Sequence, residues 1–178
     1  MKNKYSLVLL LAAFCCMNVQ CNKDEKTELE KLPPISTYGA NTFGCLVNGD
    51  AWPMNAVSGV LFYDFSYFDG MTVLSYEIND NNGVIKEGIN IVSKRMVKKG
   101  FYEIGYDNNG EFFSAKFDNE RYVSGYKKNI DLGRKAIVNI LRLDTIQGII
   151  SGTFSFSLFN EKGTKEIHIT NGRFDYNY

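Results

Sequence analysis

The clearest pattern along the chain is an alternation of apolar and polar side chains with a period of two. Over residues 153–159, Phe154, Phe156 and Leu158 fall on one side and Thr153, Ser155 and Ser157 on the other. That spacing predicts a half-buried antiparallel strand. Residues 166–170 alternate likewise, with Ile167 and Ile169 inward and Glu166, His168 and Thr170 outward; residues 88–92 set Ile89 and Ile91 against Asn90. Residues 136–143 are more continuously apolar, which predicts a strand covered on both faces. Runs rich in Val, Ile, Phe, Tyr and Thr predict further strands over 42–48, 57–64, 72–78, 100–106, 112–118 and 121–127, with 173–178 closing the chain.

Between these runs stand Asn48-Gly49, Asp69-Gly70, Asn81-Asn82-Gly83, Asn108-Asn109-Gly110, Lys162-Gly163 and Asn171-Gly172. They supply the residues that tolerate positive φ in tight hairpin turns. No segment of ten or more residues carries a capped helical period; residues 93–99 offer one turn of helix at most. About ten short strands at this spacing predict a single all-β domain, either an antiparallel β-sandwich or a small closed β-barrel.

The start of the chain breaks the pattern. Lys2 and Lys4 precede an apolar run, SLVLLLAAFCC over 6–16, and the sequence turns polar at Cys21. This predicts a secretory signal peptide over 1–20, too short for a spanning helix of about 20 apolar residues. Residues 22–31, NKDEKTELEK, are charged around a single leucine, and Leu32-Pro33-Pro34 forces extended backbone. A flexible tether over 21–36 is expected, reaching about 50 Å if fully extended, followed by the β domain over 37–178.

Composition sharpens this in two places. The 178 residues are 44% apolar with 20 basic and 20 acidic side chains, which excludes a disordered chain. Removing residues 1–20 takes away Lys2 and Lys4 and leaves a net charge of −2. It also removes Cys15 and Cys16, and with Cys21 committed elsewhere, Cys45 stands alone as a small buried hydrophobe. Neither an intradomain disulfide nor a cysteine zinc site is then expected. Charge is uneven: residues 21–93 are acidic and 94–135 basic, the latter holding Lys94, Arg95, Lys98, Lys99, Lys127, Lys128, Arg134 and Lys135.

Cys21-Asn22-Lys23-Asp24-Glu25-Lys26 resembles the mature start of a bacterial lipoprotein, which implies lipid attachment at Cys21. Lys23, Asp24 and Glu25 resemble the short lysine-plus-acid signal that exports Bacteroidota lipoproteins to the cell surface. Asn18-Val19-Gln20 departs from the small residue favoured before such a cysteine, and Cys15 and Cys16 are competing sites; only Cys21 directly precedes the charged stretch. Three further stretches resemble a family of small Bacteroidota lipoproteins of unknown function. They are Leu32-Pro33-Pro34 leading into NTFGCLVNG (41–49) and Trp52-Pro53, SGTFSF (151–156), and ITNGRFD (169–175). The resemblance assigns no catalytic residue.

Candidate chemistry is sparse. His168 is the only histidine, on the predicted polar face of a strand with no nucleophile motif beside it. Nucleophile elbows, phosphate-binding loops and zinc-protease motifs are absent from the sequence. Asp80-Asn81-Asn82-Gly83 and Asp107-Asn108-Asn109-Gly110 lack the first calcium ligand of an EF-hand and read as hairpin turns. No metal, cofactor or catalytic set is therefore expected, and nucleic acid is not an expected partner. Paired carboxylates stay open, because their separation is a property of the fold. Trp52, Lys94 and Arg95 are the candidate ligand contacts. The expectation is a lipid-anchored, surface-exposed protein of the outer membrane and cell envelope, a non-enzymatic module binding a glycan or other envelope ligand. The alternatives are an accessory subunit of an outer-membrane protein complex and a small hydrolase.

Overall fold

The computed structural model describes residues 25–53, 59–64, 72–80, 82–94, 96–107 and 109–178. Among the described residues, helix α1 (Glu28–Lys31) precedes β1 (Thr42–Val47), β2 (Asp50–Trp52), β3 (Gly59–Asp64), β4 (Thr72–Asn79) and β5 (Ile85–Ser93). Then come β6 (Gly100–Gly105), β7 (Phe112–Phe117), β8 (Glu120–Val123), α2 (Lys127–Asp131), β9 (Lys135–Asp144), β10 (Ile149–Phe159) and β11 (Glu166–Asn177). The strands form two antiparallel sheets, ordered β2-β1-β11-β10-β9-β6 and β3-β4-β5-β7-β8. Neither sheet closes on itself, so the fold is an all-β sandwich rather than a barrel.

The period-two faces meet between the sheets. Phe154, Phe156, Leu158, Ile167, Ile169, Ile89, Ile91, Phe113 and fully buried Cys45 all belong to one core cluster. Burial alone pushes the Cys45 thiol far above its ordinary pKa, which disfavours the reactive thiolate. In β9 Ala136, Val138 and Ile140 are buried and Leu143 packs against the core, while Ile137, Asn139 and Leu141 stay half-buried. The two-sided cover expected for residues 136–143 is only partial: on the outer face the strap reaches β9 through Ile35, beside Ile137 and Asn139, and through the Thr37 carbonyl at Arg142.

The structure corrects three further expectations. Asn171-Gly172 is not a hairpin turn but lies within β11. Asn171 takes φ 52°, and the register shifts against β1 (between Gly44 and Leu46) and β10 (between Phe154 and Phe156). This inserts one extra residue in β11, and such a bulge reverses which alternate positions face inward. Ile167 and Ile169 are buried before it, Gly172 and Phe174 after it. The turn at Asp107 is tight, but β6 and β7 belong to different sheets, so it crosses the sandwich instead of closing a hairpin. The strand expected over 121–127 stops at Val123, and α2 follows, while the described residues of 93–99 contain no helix.

The short α2 is held by Asn129. Its buried side-chain amide donates to the Val123 and Phe159 carbonyls, both at 2.9 Å, and its oxygen accepts the Phe159 N–H at 2.7 Å. Asn129→Ala leaves these three backbone groups without their partner, at an expected cost of about 2–4 kcal/mol. A lower urea midpoint with an unchanged slope checks this.

Residues 27–40, most of which were expected in the tether, pack on the domain. Thr27 and Glu30 cap α1 reciprocally, and Glu28 accepts the Ala51 N–H at 2.9 Å. Leu32 is buried, and Pro33 sits where Gly44 leaves room: a Cβ there would lie 2.6 Å from Pro33 Cδ. Residues 33–40 then run as a strap over the outer face of the larger sheet. Arg173 donates to the Pro33 carbonyl and Arg142 to that of Thr37, both at 2.9 Å. Asp175 accepts from the Ser36 hydroxyl at 2.7 Å and the N–H groups of Tyr38, Gly39 and Ala40 at 3.2, 2.9 and 3.1 Å.

Candidate ligand-binding groove

Beside the strap, the outer face of the larger sheet is hollowed into a groove of about 300 Å³. Register builds it. Phe101 of β6 stands opposite Asn139 of β9, Asn139 opposite Thr153 of β10, and Thr153 opposite Arg173 of β11. Directly opposed residues share a face, so the four form one row across four strands. Ile137 and Ser155 form the row beside it, and Ile35 of the strap closes one edge. Gly172 faces the core, where a Cβ would meet the Phe154 ring at 2.6 Å, so only its backbone borders the groove.

Phe101 is 66% exposed, well above what an aromatic normally shows to water. Asn139, Thr153 and Ser155 are half-buried, and their side chains make no hydrogen bond among the described residues. The groove thus offers an apolar ring, an amide, hydroxyls and a guanidinium. Among the described residues its lining holds no carboxylate, and it can bind polar molecules through stacking and hydrogen bonds.

The residues singled out by sequence lie elsewhere. Trp52 is a core side chain: its indole N–H donates to Glu87 at 2.5 Å, and the rings of Phe43, Tyr76 and Phe117 lie within 6.0 Å of it. It reaches two small clefts of about 260 and 230 Å³. Lys94 lines a separate cleft of about 470 Å³ with Tyr106 and Asp107. The Asp107 carboxylate is spent there on the N–H groups of Asn109 and Glu111 at 3.0 and 2.8 Å. Trp52 and Lys94 are not brought together. Arg95, Cys21, Lys23 and Asp24 lie outside the described residues, and Glu25 is exposed.

The basic stretch is divided rather than pooled. Arg134 pairs with Glu166, Lys135 with Glu103 at 2.6 Å, and Lys127 with Asp131 at 2.9 Å. Lys128 sits over the Phe159 ring and donates to the Gly163 carbonyl. His168 faces solvent as expected, but β10 brings it a partner that sequence reasoning missed. The Ser157 hydroxyl lies 2.9 Å from His168 Nδ1, and Glu166 lies 4.0 Å from Nε2. These three line none of the described cavities, and Glu166 is also bound by Arg134. Serine catalysis needs an enclosed substrate site and oxyanion donors around such a pair.

Among the described residues, no group of three or more His, Cys, Asp and Glu side chains could hold a metal ion. No described helix is long and apolar enough to cross a membrane. Fold and groove together define a β-sandwich with a solvent-facing polar–aromatic furrow on one sheet. Set against known proteins, the chain matches no protein-family model, no curated protein and no solved structure.

Proposed function

We propose that the chain is a lipid-anchored, surface-exposed binding module of the cell envelope, non-enzymatic, whose contact surface is the outer face of the larger sheet. The observation that carries it is the row Phe101–Asn139–Thr153–Arg173. An exposed ring beside converging polar groups, of which the amide and hydroxyl lack partners among the described residues, is the composition of a binding site, and a glycan suits it. The apolar face of a sugar stacks on Phe101, and its hydroxyls meet the amide and hydroxyls of the floor. The signal-like start, Cys21 and Lys23-Asp24-Glu25 support the anchor and the surface location.

A second proposal, an accessory subunit of an outer-membrane protein complex, draws on Ile35, Tyr38 and Ile146, all exposed around the strap. Presenting the full chain in detergent micelles to a glycan array separates the two. Retention without release of cleaved product, lowered about tenfold (about 1.4 kcal/mol) by Phe101→Ala, is expected. Retention of no glycan favours the accessory subunit, and release of product defeats the non-enzymatic reading.

A further inference from the structure

We infer that the groove takes an anionic oligosaccharide, its acidic group held by Arg173 and one sugar ring lying against Phe101. The inference rests on the glycan reading above and narrows it to a charge class.

Length and polarity follow from the row. Strands stand about 4.8 Å apart, so three steps from Phe101 to Arg173 span about 14 Å, the length of a short oligosaccharide. The row is closed at one end. Beyond Arg173 the register reaches Gly44, over which Pro33 of the strap is packed. The other end is open at β6, the edge strand of the sheet. A chain-like ligand therefore enters over Phe101 and ends against Arg173.

Charge sets the terminal group. Arg173 is the only charged side chain lining the cavity among the described residues. Its Nη1 donates to the Pro33 carbonyl at 2.9 Å and its Nε to the Asn171 carbonyl at 3.3 Å, both neutral acceptors. These bonds fix the plane of the guanidinium and use two of its five N–H donors. No carboxylate pairs with it among the described residues. Asp175, the next outward position along β11, is 1% exposed beneath the strap, with both oxygens occupied by Ser36, Tyr38, Gly39 and Ala40. On the far side, Glu103 is paired with Lys135. A preoriented, uncompensated guanidinium at the closed end of a neutral furrow selects a planar carboxylate or a sulfate by paired N–H donors.

The test is retention of the full chain, in detergent micelles, on an array of uronate-bearing and sulfated oligosaccharides. Each stands beside its counterpart with the acid reduced to an alcohol or the sulfate removed. Anionic members are expected to be retained about tenfold or more over their uncharged counterparts, and the two arms tell carboxylate from sulfate. Arg173→Gln abolishes the preference, Arg173→Lys keeps part of it, and Phe101→Ala, which removes no core contact, weakens every member. Because Arg173 also holds the strap, the unmodified chain is titrated with salt as well. Retention of anionic members falls as their charge is screened. Equal retention of charged and uncharged members, or anionic retention that ignores salt, overturns the inference while the glycan reading stands. Retention of no member at all overturns both.

Discussion

Replacing Asp175 with alanine is expected to lower the stability of the folded chain by about 3 kcal/mol or more, because several donors lose a buried acceptor at once. The carboxylate receives one hydroxyl and three backbone N–H groups from residues 36–40, and these bonds fasten the strap to the sheet. Burial by itself raises the pKa of such a group, but the bonds from Ser36, Ala40, Gly39 and Tyr38 outweigh it and hold Asp175 below its ordinary value. A carboxyl with a depressed folded pKa contributes its stability in full above its unfolded value, about 3.9. That stability is lost as pH falls from there through the folded value. Urea denaturation at pH 7 and pH 3 therefore separates the proteins: the gap between wild type and Asp175→Ala is wide at neutral pH and narrows in acid. Asp175→Asn falls between them, since its amide keeps one acceptor and turns an N–H₂ group toward the remaining donors. Equal midpoints at pH 7 would show that the strap is held by something other than Asp175.

Cys21→Ser is expected to move the protein wholesale out of the membrane fraction, or to leave it as the unprocessed precursor. Each acyl methylene buried in the bilayer contributes about 0.8 kcal/mol, so several chains on one residue set a partition that a serine cannot approach. Fractionation of cells expressing each form decides it; unchanged partitioning would mean that Cys21 is not the anchor. The strap bears on what the proposed anchor would do. With Thr27 and residues beyond it packed on the domain, only residues 21–26 can bridge to the lipid, at most about 20 Å when extended. The domain is proposed to ride close to the head groups, with residues 27–40 forming a fixed base rather than a loose cord.

The strands were readable because burial on one face imposes a period of two, and in β10 and β11 the predicted inward residues are the observed ones. The Asn171-Gly172 bulge was misread because the same residues that turn a hairpin also accommodate positive φ inside a strand. The strap was hidden by composition: a charged stretch gives no sign that Leu32 and Pro33 fill a gap left by Gly44. For the groove, half the signal was present. Phe101 shares its parity with Glu103, and Arg173 and Asp175 flank inward Phe174, so all four outward residues were visible one strand at a time. Their alignment across β6, β9, β10 and β11 depends on register, which no single strand encodes. Trp52 drew attention as the sole tryptophan, yet its bond to Glu87 and its ring neighbours make it a core residue.

The central proposal is that ligand meets the outer face of the larger sheet. Two-dimensional NMR of the full chain, with and without the oligosaccharide it retains most tightly, tests this directly. Shifts are expected in the Asn139 side-chain amide, the Arg173 Nε–H and the backbone around Phe101 and Thr153, with the Trp52 indole N–H unmoved. Shifts gathered at Trp52 or around Lys94, with the row from Phe101 to Arg173 silent, would contradict it.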